Sequence, residues 1–162
     1  MSQYSPSVTP PTHPLSALSA AAAPSKTVTV RGASFTLRLL STAEVYQLLS
    51  CVPVVQPPTI TINGVQTENL RDPAFIAAQG ERQRAVRLGE LAIAMSLPGP
   101  DGRGWSELTD AGQRRAYLQH AQQQLERALL ASEVAALERV LRDLEEKVEG
   151  DIRGNSSGRA AG

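Results

Sequence analysis

The segment from Asp72 to Pro100 constrains this fold more than any other part of the chain. Asp72-Pro73 opens a helix, with a carboxylate to cap the free amides and then proline at the first helical position, where its missing donor costs nothing. Pro98-Gly99-Pro100 is a stop. The spacing between them predicts one helix running to about Leu97. Its first half is polar, with Gln79, Glu81, Arg82, Gln83 and Arg84. Its second half is apolar on nearly every side, with Leu88, Leu91, Ala92, Ile93, Ala94, Met95 and Leu97. A helix that is apolar all round has to be enclosed. One end is therefore wet and the other buried.

The flanking segments offer cover. Thr27-Val28-Thr29-Val30 and Phe35-Thr36-Leu37-Arg38-Leu39 alternate around Arg31-Gly32-Ala33, the pattern of a β-hairpin whose apolar face is Val28, Val30, Phe35, Leu37 and Leu39. Ser41-Thr42-Ala43-Glu44 reads as a capping box, which predicts a short helix to about Ser50 with Val45, Leu48 and Leu49 inward. Val52 to Pro58 reads as extended. Thr59 to Glu68, with Asn63-Gly64 at its centre, reads as a second hairpin, either a mobile flap or an addition to the first. After a Gly/Pro loop, Trp105 precedes two candidate caps, Ser106 and Thr109. Helical periodicity resumes at Tyr117, Leu118, Ala121, Leu125, Ala128 and Leu129, shifts phase near Ser132, and continues at Val134, Leu137, Leu141, Leu144 and Val148. The last run has the spacing of a helix–helix seam. Glu138–Arg142, Arg139–Asp143 and Asp143–Lys147 are opposite charges four apart, each worth about 0.2–0.5 kcal/mol on an exposed face. The seam is too short to stand alone and must pack on something, in the same chain or another. The expected fold class is α+β, mostly α: hairpins packed on a small helical bundle.

The ends read differently. Residues 1–25 have no charged side chain and hold five prolines, which predicts a disordered Pro/Ser/Ala-rich tail. Leu15 to Ala23 superficially suits a signal peptide, but no Lys or Arg precedes it. Residues 151–162 read as a flexible tail, leaving 26–150 as the folded domain. Sixteen basic residues offset sixteen acidic ones, which argues against a strong nucleic-acid binder. No apolar run reaches the length of a membrane span. Aromatic residues are 4% of the chain, so the core must come largely from Leu, Val and Ala.

No residue pattern points to catalysis. One cysteine excludes an internal disulfide and a multi-cysteine metal site. His13 lies among prolines, and His120 on a polar helix face beside Gln119 and Gln122. Neither has the converging partners that a base or metal ligand needs. Cys51 reads as a small buried hydrophobe. Asp101-Gly102-Arg103-Gly104 lacks the Lys and Ser/Thr of a phosphate loop. Arg82, Arg84, Arg87, Arg114 and Arg115 are diluted by Glu81, Glu90, Asp110 and Glu126 and read as solvated helix faces. The expectation is a non-enzymatic protein with no catalytic residue, cofactor or metal.

The amount of apolar helix admits two arrangements. In one, the helices and the first hairpin cover each other. In the other, a face stays open for a partner helix. The stripe available for a partner would be Leu118, Leu125, Leu129, Val134, Leu137, Leu141 and Leu144, with Leu91 and Met95 as a competing surface.

The order of the segments VTVRGASFTLRLLSTAE, DPAFIAAQGERQRAVRLGELAIAMSL and GWSELTDAGQRRAYLQHAQQQL resembles that of tailed-bacteriophage tail assembly chaperones, over roughly residues 26–150. The resembling features are Arg38 to Glu44, Asp72-Pro73-Ala74-Phe75, and the segment opening after Trp105. The long proline-rich start departs from the pattern. The resemblance implies a chaperone in the host cytoplasm that binds the tape-measure protein, or other tail proteins, and keeps it soluble during tail assembly. A homo-oligomer is a further expectation, as is the absence of nucleic-acid and membrane partners. The alternative is a structural virion component, such as a tail-completion or head–tail connector protein.

Overall fold

The structure, a computed structural model, describes residues 23–157; the expectations for residues 1–22 and 158–162, His13 among them, lie outside it. Strands β1 (Ser25–Val30) and β2 (Ala33–Arg38) form an antiparallel hairpin. Arg31 and Gly32 both take positive φ, +48° and +81°, so a two-residue turn matches the twist of the strands. Opposed residues share a face, which puts Val28 with Phe35, and Lys26 with Leu37, on one side. That side meets the helices, and Leu37 is fully buried. The other side carries hydroxyl pairs, Thr27 with Thr36 at 3.4 Å and Thr29 with Ser34 at 3.3 Å.

Helix α1 (Thr42–Cys51) begins at the expected capping box. The Glu44 amide donates to the Ser41 hydroxyl at 3.3 Å, and the Ser41 amide donates to the Glu44 carboxylate at 2.8 Å. The same carboxylate pairs with Arg38 of β2 at 2.6 Å, fastening strand to helix. The Arg38 hydrogen bond holds the Glu44 carboxyl below its ordinary range, outweighing the opposing effect of burial. Ser41→Ala is expected to cost about 1 kcal/mol, read as a lower urea midpoint with unchanged slope. Leu48 is buried as expected, whereas Leu49 is 38% exposed. Leu49 lies at a concavity that Arg82, Val86 and Glu90 also line, so the inward stripe of α1 is narrower than its sequence suggests.

Strands β3 (Thr59–Ile62) and β4 (Val65–Glu68) form the second hairpin around Asn63-Gly64, with φ of +51° and +81°. It does not extend the first hairpin; each is a separate two-stranded sheet.

Helix α2 (Pro73–Ala94) starts where Asp72 accepts a hydrogen bond from the Phe75 amide at 2.9 Å. Its wet and buried halves fall as the sequence predicts, and Leu91, Ala92, Ile93 and Ala94 are fully buried. It ends three residues earlier than expected. Ser96 takes φ of +54°, the Ser96 amide bonds to Ile93 O, and the Leu97 amide bonds to Ala92 O. This paired closure turns Leu97 back along the helix before the prolines are reached.

Trp105–Glu107 form a single 3-10 turn, and the caps Ser106 and Thr109 are not used. Asp110 opens α3 (Ala111–Ala128) instead, accepting from the Gln113 amide at 2.9 Å. The phase shift near Ser132 is a helix break at Leu129-Leu130, after which α4 (Ala131–Ser157) begins. Glu133 accepts from the Leu130 amide at 2.7 Å and from Arg31 at 2.8 Å. Chiefly through the Leu130 bond, its carboxyl is held below the ordinary range. Helix α4 continues through Gly150 to Ser157, where a flexible tail from 151 was expected. Among the described residues, no helix is long and apolar enough to cross a membrane.

Close helix crossing is fixed by Gly89. A Cβ there would lie 2.7 Å from Leu48 of α1 and 3.0 Å from Leu118 of α3, so glycine is what lets the three helices meet. Arg87 of α2 reaches Glu138 of α4 at 4.0 Å, and Arg84 reaches Glu126 of α3 at 3.0 Å.

Candidate functional site

Most of the expected partner stripe belongs to the protein's own core. Leu91 is fully buried, Leu125 and Leu137 are 2% exposed, and Leu144 is 9% exposed. Met95, Leu118, Leu129, Val134 and Leu141 are half-buried against the same core. The buried four are closed to any partner while this fold is kept. Helical periodicity marked their faces correctly as apolar, but α2 and α3 pack on each other while α4 packs on β1 and α2.

Among the openings that remain, the most apolar is a groove of about 400 Å³ where three elements converge. Phe35 comes from β2, Met95 and Leu97 from the closure of α2, and Leu125, Ala128 and Leu129 from the last turn of α3 and the residue after it. Gln124 and Arg127 complete the lining. Each wall has a local cause. The pleat of β2 puts Phe35 on the same side as Leu37. The positive φ of Ser96 swings Leu97 back beside Met95. The break after Ala128 leaves Leu129 extended, with Leu130 beyond it 62% exposed. Arg31, at the tip of the first hairpin, donates to the Ala128 carbonyl and pairs with Glu133 at 2.8 Å, holding hairpin and helix break together beside the groove. Three of the nine residues expected from sequence, Met95, Leu125 and Leu129, line it. Phe35, Leu97 and Ala128 were not foreseen, because they come together only through tertiary packing.

A second concavity, about 150 Å³, has a charged character. Glu90, Glu138 and Glu145 face Arg87 and Arg142 over a floor of Leu39, Leu40, Val45 and Leu141. Burial, with smaller contributions from Glu145 and Glu138, raises the Glu90 carboxyl above its usual value.

The remaining candidates are occupied locally. His120 contacts the Gln124 amide at 2.9 Å, and Cys51 is buried. In the Asp101–Gly104 loop, Arg103 pairs with Asp101 at 2.6 Å, and the Gly99 amide donates to the Arg103 carbonyl. Arg82 donates to Pro53 O, and Arg114 donates to Leu108 O while lying 5.8 Å from the Trp105 ring. Among the described residues, no group of three or more His, Cys, Asp or Glu side chains is placed to hold a metal ion.

The fold is α+β, mostly α, with two small hairpins and four helices among the described residues. The chain matches no family model, no curated protein and no solved structure.

Proposed function

We propose that this protein is a non-enzymatic binding module, and within that class a phage tail assembly chaperone that holds the tape-measure protein soluble in the host cytoplasm. The observation that carries the reading is the groove bounded by Phe35, Met95, Leu97 and Leu129, whose exposed lining is almost entirely carbon. Its volume lies within the ~300–1,000 Å³ typical of binding pockets. It suits a few aliphatic side chains from one face of a partner helix, which enter by i, i+3, i+4 spacing. Met95 supplies an unbranched, polarisable wall that adapts to side chains of different shape. The client is named from the resemblance of the segment order to that of tail assembly chaperones.

Co-expression with a phage tape-measure protein is expected to raise the soluble fraction of that protein. Met95→Lys should abolish the gain. The lysine stem keeps the packing and its charge suits a helix C-terminus, yet an ammonium enters the groove. Binding is expected to weaken at least about tenfold, equivalent to about 1.4 kcal/mol, with an unchanged melting temperature. Equal solubility of the client with and without this protein rejects the chaperone reading. Recovery of the chain at fixed stoichiometry in purified particles replaces it with a structural virion component.

A further inference from the structure

The two hairpins share one design and differ in what covers them. Both turn on two residues of positive φ, and both place β-branched or aromatic residues on one face. The first buries that face on the helices. The second leaves it bare: Ile60 is 37% exposed, Ile62 53% and Val65 63%, and all eight strand residues are exposed. An isolated two-stranded hairpin of this length is marginal in water.

Its two edges are not equivalent. β4 ends in Glu68, and a charge guards an edge against pairing. β3 reads Thr-Ile-Thr-Ile and carries no charge. Register decides which of its backbone groups are free. Ile62 opposes Val65, Ile60 opposes Thr67, and Asn69 donates to Pro58 O, so the even-numbered residues of β3 bond inward to β4. Thr59 and Thr61 therefore turn their N–H and C=O groups to the open side.

We infer that this edge pairs with the same edge of a second copy of the chain, antiparallel about a twofold axis through Thr61. That register has two properties a random pairing lacks. Thr61 faces its own copy, so the two outward N–H groups meet the two outward C=O groups. Ile60 faces the copy's Ile62, so four isoleucines join into one apolar face of a four-stranded sheet. Shifting the register by one residue would set isoleucine against threonine and split that face. The edge bears no charge to repel its twin, so the surface is self-complementary, as a twofold contact requires. Four-residue strands bury less than the ~1,200 Å² of a standard interface, so the dimer is weak and depends on concentration.

Sedimentation analysis of the full chain tests this. The weight-average mass is expected to be that of one chain at about 10 μM and to rise towards two at about 1 mM, the range of a small interface. Thr61→Pro removes the outward donor and leaves the β3–β4 bonds of Ile60 and Ile62 in place, and proline is tolerated at such an edge position. Ile62→Lys keeps every backbone bond and sets like charges across the axis. Both variants should remain monomeric at 1 mM with unchanged circular dichroism, while Met95→Lys should dimerise as the parent does. A parent that stays monomeric at about 1 mM overturns the inference, as does a Thr61→Pro variant that dimerises equally well.

Discussion

Replacing Leu137 by alanine is expected to destabilise the chain by about 2–5 kcal/mol, the range for a large aliphatic side chain removed from a packed core. Leu137 is 2% exposed, the most deeply buried side chain of α4 among the described residues. Its neighbours on the inward face, Val134, Val140 and Leu141, are only half-buried, so they cannot take over its role. A domain of this size is stable by about 5–15 kcal/mol in total, so the loss is a large fraction of the whole. In urea the midpoint should fall with the slope retained if α4 stays docked, and the slope should fall too if α4 detaches from the native state. A loss below about 1 kcal/mol would mean that α4 is not held by this contact. Leu137→Asp goes further, since a carboxylate without a partner at that depth should abolish cooperative folding. Loss of client binding in such a variant therefore says nothing about the binding surface, which is why Met95→Lys is the informative change.

The reason Leu137 was expected at a partner surface shows what one sequence can and cannot reveal. Periodicity identifies the apolar face of a helix, and it did so for Val134, Leu137, Leu141 and Leu144. It carries no information about what lies opposite. Here the opposite surface is made by strand β1 and helix α2, both reached across many intervening residues. Elements fixed by local chemistry were readable: the capping box at Ser41 and Glu44, the Asp72-Pro73 start, and the Asn63-Gly64 turn, whereas the first connection proved one residue shorter than Arg31-Gly32-Ala33, with Ala33 already in β2. The ends of elements were less so. Ser96 closes α2 through a positive φ that glycine usually supplies, and no glycine signals it. The groove was least readable, because Phe35, Leu97 and Ala128 are far apart in the chain and ordinary in their own segments. The bare face of the second hairpin was half readable. Asn63-Gly64 announced the turn, while the absence of a covering layer among the described residues is a tertiary fact.

Tyr117 is expected to be the other large effect, because it is almost fully buried and also holds one wall of the groove. Its ring packs edge-on against Trp105 with centroids 5.4 Å apart, and a Cβ at Gly99 would lie 3.0 Å from it. Its hydroxyl donates to Leu97 O at 2.8 Å, holding the residue that forms one groove wall. Tyr117→Ala should cost about 3–5 kcal/mol, as for other large aromatics removed from cores. Tyr117→Phe keeps the ring and loses the hydroxyl. It should cost about 1–2 kcal/mol, because the Leu97 carbonyl is left without that donor, and it should weaken client binding through a looser Leu97. Burial also raises the phenol from 10.0 to about 12. The sign follows from proton counting. Between those values the folded chain keeps a proton that the unfolded chain has released, so stability falls as pH rises from about 10 to 12. Unfolding measured from pH 9 to 12 should show that decline in the parent and a shallower one in Tyr117→Phe. Identical alkaline slopes in the two proteins would show that this hydroxyl titrates as it would in water, and that the seal between α3 and the end of α2 is open.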